Sequence, residues 1–160
     1  MGWHHTALVA LSPPTLVTER LTLTPLVEAD AETMVAVFDD ERMYEFTGGE
    51  PPTLEQLRSR YQQLAVGHSR DGSERWFNWV VRLTDIGRAV GAAQATVAAD
   101  GSGAEVAWEI GVQWQGHGIA SEAAAAVVEW LEDRGVAEIS ARIHPDHGAS
   151  AAVAAKAGLS

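Results

Sequence analysis

The hydrophobic pattern of this chain changes period once, across two closely spaced glycines, and that change restricts the folds open to it. Residues 76–83 are rich in aromatic and β-branched side chains and read as a strand. Thr84 to Arg88 is a hairpin turn, and residues 89–98 return as a second strand. Asp100-Gly101-Ser102-Gly103 makes the next turn, and residues 105–112 form a third strand of the meander. Beyond Gly116 and Gly118 the apolar residues Ile119, Ala123, Ala126, Val127, Trp130 and Leu131 recur at helical spacing. An antiparallel meander therefore gives way to an amphipathic helix that stops before Gly135, a residue suited to a helix end. Residues 136–144 read as a further strand, and residues 149–157 as a short last helix with Gly158 as its stop.

The amino-terminal half adds one strand and two helices. Leu21, Leu23 and Pro25-Leu26 alternate with threonines, as a strand with one buried face does. Asp30 precedes Met34, Val35, Val37 and Phe38, which predicts a helix over residues 31–40. Gly48-Gly49 and Pro51-Pro52 break the chain. Thr53 then caps a helix with Gln56 at the capping-box position. That helix carries Leu54, Leu57, Tyr61, Leu64 and Ala65 on one face and stops near Gly67. The order β-α-α-β-β-β-α-β-α specifies an α+β protein: a mixed, mostly antiparallel sheet with helices on its faces. The 160 residues fit a single domain, 1–160, in which residues 1–17 read as an amino-terminal tail that includes His4 and His5.

Charge and composition exclude several function classes. The formal net charge is −11, a surface that repels nucleic acid and anionic membranes and is compatible with a cationic amine substrate. The same charge also serves solubility alone. No segment approaches the roughly 20 apolar residues of a membrane-spanning helix, and no signal-peptide pattern opens the chain. The absence of cysteine removes disulfides, thiolate metal sites and a cysteine nucleophile, and agrees with a cytoplasmic location. No metal site is expected, because His144 and His147 lack further ligands. Asp146, His147 and Ser150 lie too close in sequence to make a nucleophilic triad. Trp76, Phe77 and Trp79 lack basic neighbours for stacking nucleic acid, and read as core or cleft wall.

The segment Gln115-Gly116-His117-Gly118-Ile119-Ala120 stands where a strand ends and the long helix begins. Two glycines permit a tight turn with no Cβ in the way of a ligand. The first helical turn offers unpaired N–H groups and the positive end of the dipole, a cradle for a pyrophosphate, to which Ser121 adds a hydroxyl. A dinucleotide fingerprint fails for want of a third glycine. A P-loop fails because His117 stands where a lysine is required. An ordinary strand–helix turn without a ligand is the competing interpretation.

This segment resembles the Gln/Arg-x-x-Gly-x-Gly/Ala signature of the GNAT acetyltransferase superfamily, with Gln115, Gly118 and Ala120 at the signature positions. Thr18-Glu19-Arg20-Leu21-Thr22-Leu23 is similar to the opening strand of its RimL-like branch, which acetylates protein N-termini and small amines. His144 to Ser150, with Lys156-Ala157-Gly158-Leu159, resembles that branch's last helix. The resemblance runs from about Thr18 to Leu159. It implies a GNAT fold that binds acetyl-coenzyme A, with no metal, and that transfers the acetyl group to a primary amine on a protein N-terminus or small molecule. Residues Gln115, Gly116, His117, Gly118, Ile119, Ala120 and Ser121 would hold the pyrophosphate. Ile110, Gly111 and Val112 would present backbone to the pantetheine amides. A splay between this strand and the one over residues 136–144 would form the slot. His147 stands where the family often has asparagine and, with Ser150, would contact the pantetheine, although Ser150 serves equally as a helix cap.

Acetyl transfer requires a base for the amine and a donor for the thioester oxygen. Glu105 and Glu109 lie four apart on one strand and share a face. They read either as solvated glutamates or as bases lining the acceptor cleft, and the resemblance ranks Glu105 first. A backbone N–H near residues 110–112 would serve as the oxyanion donor. The acceptor pocket is expected from residues 38–68. The family often supplies a tyrosine acid beyond the last helix and a final strand pair, and this sequence shows neither before Ser160. An unfinished sheet edge would favour a homodimer. The missing acid leaves a second interpretation, a non-catalytic acyl-coenzyme A-binding or assembly module of the same fold.

Overall fold

The computed structural model describes residues 13–44 and 49–142. The expected last helix over residues 149–157 lies outside them, and so do His144, His147 and Ser150. The described elements are β1 (Leu16–Val17), β2 (Leu21–Pro25), α1 (Ala31–Val37), α2 (Leu54–Ala65), β3 (Glu74–Leu83), β4 (Ala89–Ala98), β5 (Gly103–Ile110), α3 (Ile119–Asp133) and β6 (Glu138–Ala141). The six strands form one sheet in chain order. All neighbours are antiparallel except β5 and β6, which are parallel. A right-handed crossover through a helix is the usual way to join two parallel neighbours, and α3 supplies the helix. The expected α+β architecture is therefore present. β1 adds a short strand within the expected tail, pairing Leu16 with Leu23.

Local chemistry explains the boundaries. Thr53 accepts a hydrogen bond from the Gln56 N–H (3.2 Å), while the Gln56 side chain accepts one from the Thr53 N–H (3.0 Å), so the expected capping box starts α2. α1 ends at Val37, three residues short of the sequence expectation, and Phe38 turns into the core at its C-terminus. β5 ends at Ile110 and not at Val112, because residues Val112–Trp114 tighten into a 3-10 turn closed by the Trp114 N–H on the Gly111 carbonyl (2.8 Å).

The sheet separates two apolar layers. On one face α3 packs Ile119, Ala123, Val127 and Leu131 against Leu21, Leu23, Phe77, Trp79, Val81 and Val106. The rings of Phe77 and Trp79 meet the edge of Trp130 at centroid distances of 5.0 and 5.4 Å. Each such pair contributes about 1 kcal/mol beyond its buried area. On the other face α1 and α2 place Ala31, Met34, Phe38, Leu57 and Tyr61 over Val80 and Ala89. The Trp79 indole N–H donates to the Pro14 carbonyl (2.8 Å), so this largest core side chain leaves no polar atom unmet.

The pairing of β3 with β4 slips between Val81 and Arg82: Val81 opposes Gly91, whereas Arg82 opposes Ala89. The extra residue, Val90, still reaches the α3 layer. Gly91 opposes Ile110 at the end of β5. A Cβ on Gly91 would lie 2.3 Å from the Glu109 carbonyl oxygen and 2.7 Å from Ile110 Cδ1, so backbone would have to move. Gly91→Ala is expected to cost about 2–3 kcal/mol in urea unfolding and to shift amide NMR signals at Glu109 and Ile110.

Candidate active site

α3 begins at Gly118 in the left-handed conformation (φ 78°), with no side-chain cap on the first turn. Gly116 is also left-handed (φ 82°), and a side chain there would meet nothing within 4 Å. Gln115, Gly116, His117 and Gly118 are exposed, whereas Ile119 is buried and roots the helix; Ala120 and Ser121 are half-buried in the first turn. The result is an open concavity of backbone N–H groups at a positive helix end, the geometry that attracts a phosphate. The Gln115 side chain donates to the Ile110 carbonyl (2.9 Å) and ties the loop to the end of β5.

A clamp from the start of the chain holds this loop. Glu122, in the first turn of α3, accepts hydrogen bonds from the Thr18 hydroxyl, the Arg20 backbone N–H (2.9 Å) and Arg20 Nε (2.7 Å). The same guanidinium donates through Nη1 to the His117 carbonyl (2.9 Å). Burial alone would raise the Glu122 carboxyl, but the bonds from Thr18 and Arg20 outweigh it and hold it below the usual range. The sequence pattern exposes Thr18 and Arg20 as part of an opening motif but not their partner, which lies 102 residues along the chain.

The parallel pairing of β5 with β6 runs from Gly103 opposite Glu138 to Val106 opposite Ala141, and ends where the Arg142 N–H donates to the Val106 carbonyl (2.9 Å). Among the described residues, nothing pairs as a strand with this edge of β5 beyond that point. Backbone direction alternates along a strand, so Trp108 and Ile110 present their amide groups to the open edge. Gly111 does not: its N–H donates to the Val90 carbonyl (2.8 Å), which removes it from the expected oxyanion donors. The Ile110 carbonyl is taken by Gln115, while its N–H faces the edge. Val112 lies in the 3-10 turn, past the strand.

Glu105, Ala107 and Glu109 share the face that α1 and α2 cover, opposite Thr96, Gln94 and Ala92. The two carboxylates nevertheless have different surroundings. Glu105 is held by Arg142 at 2.7 Å beside the paired part of β5 and β6. Glu109 makes no hydrogen bond or ion pair among the described residues, and it borders a half-open cavity of about 40 Å³ lined also by Phe38, Arg60, Tyr61, Asn78 and Gln94. Tyr44 stands nearby; burial and then the charge of Glu109 push its hydroxyl upward. Asn78 and Gln94 escaped the sequence reading because each sits singly in a strand whose neighbours are apolar. No group of three His, Asp or Glu side chains that would suit a metal occurs among the described residues, and no described helix is long and apolar enough to cross a membrane.

The clamp makes a pH-dependent prediction. A carboxyl depressed by folding stabilises above its unfolded value of about 4.3 and loses that contribution as pH falls through the lower folded value. Glu122→Gln is expected to lose about 1 kcal/mol at pH 7, a modest figure because Arg20 is half exposed. The deficit should shrink below about pH 4, where the parent's own carboxylate protonates. Urea unfolding of both proteins across pH 3 to 7 measures it.

Residues 20–160 match the acetyltransferase (GNAT) domain family. No curated protein matches the chain. Among solved structures, a GNAT acetyltransferase from Bacillus anthracis is similar at 20% identity, covering 91% of this chain and 82% of that one, with a TM-score of 0.74. A ribosomal-protein-S5-alanine acetyltransferase from Vibrio fischeri is similar at 19% identity, with 91% and 82% covered and a TM-score of 0.71. The aminoglycoside acetyltransferase AAC(6')-Ib in complex with coenzyme A is similar at 22% identity, with 86% and 83% covered and a TM-score of 0.70. These likenesses agree with the fold derived above, and the match over residues 20–160 makes the chain a member of the GNAT acetyltransferase family.

Proposed function

We propose that the protein transfers the acetyl group of acetyl-coenzyme A to a primary amine, with Glu109 as the proton acceptor. The observation that carries this reading is the Glu109 carboxylate, unpaired among the described residues and lying between the edge of β5 that β6 leaves free there and the cavity under α2. Family membership and a relative solved with coenzyme A support the choice of co-substrate. The pyrophosphate rests on the N–H groups from Gly116 to Ser121. The pantetheine lies along the open edge as an added strand, using the Trp108 amide groups. The acceptor enters from the α1–α2 face.

The amine nitrogen attacks the thioester carbonyl carbon while Glu109 takes its proton, directly or through one water. The Ile110 N–H donates to the oxygen as it becomes negative. The carbon–sulfur bond then breaks, and the thiolate takes up a proton as the acetylated amine departs. The arginine-bound Glu105 is a positional anchor between β5 and β6 in this scheme. The RimL-like assignment is supported by the Thr18–Arg20–Glu122 clamp, which is built from that branch's opening motif, and by likeness to a ribosomal-protein acetyltransferase. Likeness to an aminoglycoside acetyltransferase keeps small-molecule amines within the acceptor class.

Glu109→Gln is expected to lower kcat/KM for a primary amine by about 100- to 1,000-fold with acetyl-coenzyme A affinity held within about twofold, whereas Glu105→Gln changes kcat/KM by only a few-fold. Steady-state assays and calorimetry measure these. Acetyl-coenzyme A binding without transfer to any amine in a broad screen would establish the non-catalytic reading instead.

A further inference from the structure

The cavity beside Glu109 holds two buried polar groups with nothing to bond. Among the described residues the Tyr61 hydroxyl and Asn78 Nδ2 have no hydrogen-bond partner, and the two residues are only 3% and 8% exposed. Both line the same cavity, from opposite sides: Tyr61 from α2 and Asn78 from β3. Native interiors retain few such atoms, because a buried donor without an acceptor bears its full desolvation cost. A phenylalanine and a leucine would fill the same space without that cost. Two of them on residues that line one space, next to a carboxylate with no partner among the described residues, therefore mark a place where an oxygen atom binds.

The charges in the cavity narrow the choice of ligand. Glu109 is the carboxylate on its wall, and Arg60 stands at its exposed rim. Burial pushes the Tyr61 hydroxyl well above its ordinary value and the charge of Glu109 adds to this, so it stays protonated and available to donate throughout the neutral range. One side of the cavity thus accepts an ammonium or its proton, and the other presents the Tyr61 hydroxyl, the Asn78 and Gln94 amides and, at the rim, the Arg60 guanidinium. A second ammonium, as in a polyamine, would meet the like charge of the Arg60 guanidinium. At about 40 Å³ the space admits the polar head of a small amine, or a water or two in its absence.

We propose that Tyr61 and Asn78 recognise the acceptor by donating hydrogen bonds to an oxygen carried beside the reacting nitrogen. The preferred substrates are then amines with a carbonyl, hydroxyl or ether oxygen two or three bonds from the amine, and plain alkylamines and polyamines are poor ones. This rests on the acetyl-transfer reading above and specifies its substrate class.

The test compares 2-methoxyethylamine with n-butylamine, which differ by one oxygen in place of a methylene. The parent protein should favour the ether at least about tenfold in kcat/KM, since a site built to bond an oxygen rejects the analogue that lacks it. Tyr61→Phe and Asn78→Leu should lower that ratio towards the value that the basicities of the two amines alone set. Comparing ratios between proteins cancels the different basicities of the two amines, and thermal melts confirm that each variant is folded. A second readout needs no turnover: in the presence of coenzyme A, millimolar methoxyethylamine should raise the parent's melting temperature more than butylamine does, and Tyr61→Phe should abolish the difference. A parent ratio of one, or a ratio unmoved by both variants, would overturn the recognition role while leaving acetyl transfer intact. Differential stabilisation without acetyl transfer would sink the transfer reading and keep the recognition site.

Discussion

Among the described residues the pairing of β5 with β6 ends at Val106, and the candidate site is arranged around that limit. Two parallel strands that stayed paired would consume each other's amide groups, and the sheet would offer no edge inside its own width. Among the described residues the Arg142–Val106 bond is the last between the two strands, and the Arg142–Glu105 ion pair sits at the same point. Among the described residues the Trp108 amide groups and the Ile110 N–H consequently have no strand partner on that side, while the Ile110 carbonyl is held by Gln115. The features on either side, a glycine loop at one end and a carboxylate with a cavity at the other, are useful because that edge runs between them.

The loop itself is weakly determined by its own sequence. Gly116 and Gly118 allow many conformations, and freedom of that kind opposes a preformed binding site. The fixed geometry comes from outside the loop. Gln115 reaches back to Ile110, Ile119 is sunk in the α3 layer, and Arg20 spans Glu122 and the His117 carbonyl. The glycines supply the shape, and residues on β2's approach and on α3 select it.

How much of this was legible in sequence depends on the range of the interaction. Elements set by neighbours in the chain, such as the Thr53–Gln56 box, the meander and the α3 stripe, follow from periodicity and turn residues. The limits of β5 do not, because Val112 has a strand-like side chain but a backbone recruited into a turn by Gly111. The surroundings of Glu105 and Glu109 lie beyond the sequence for the same reason. The two residues are equivalent by alternation, and they differ only through Arg142 and α2, which reach them from 37 residues beyond Glu105 and from another layer of the fold. Asn78 and Tyr61 carry no sequence signal at all, since one occupies a strand position and the other a helix position that an apolar residue would fill.

The clamp on Glu122 has a consequence for the order in which the protein matures. Its two halves are separated by 102 residues, and closing so long a loop carries an entropic cost that short-range contacts do not. While the chain is still emerging from the ribosome, β2 has no α3 to hold, and the glycine loop does not yet exist. The glycine loop is thus among the last parts of the domain to become fixed, so under the proposed function a nascent or partly folded chain would not sequester acetyl-coenzyme A. Ligand that does bind would act on the finished state alone, drawing the first and last thirds of the described chain together and slowing their separation.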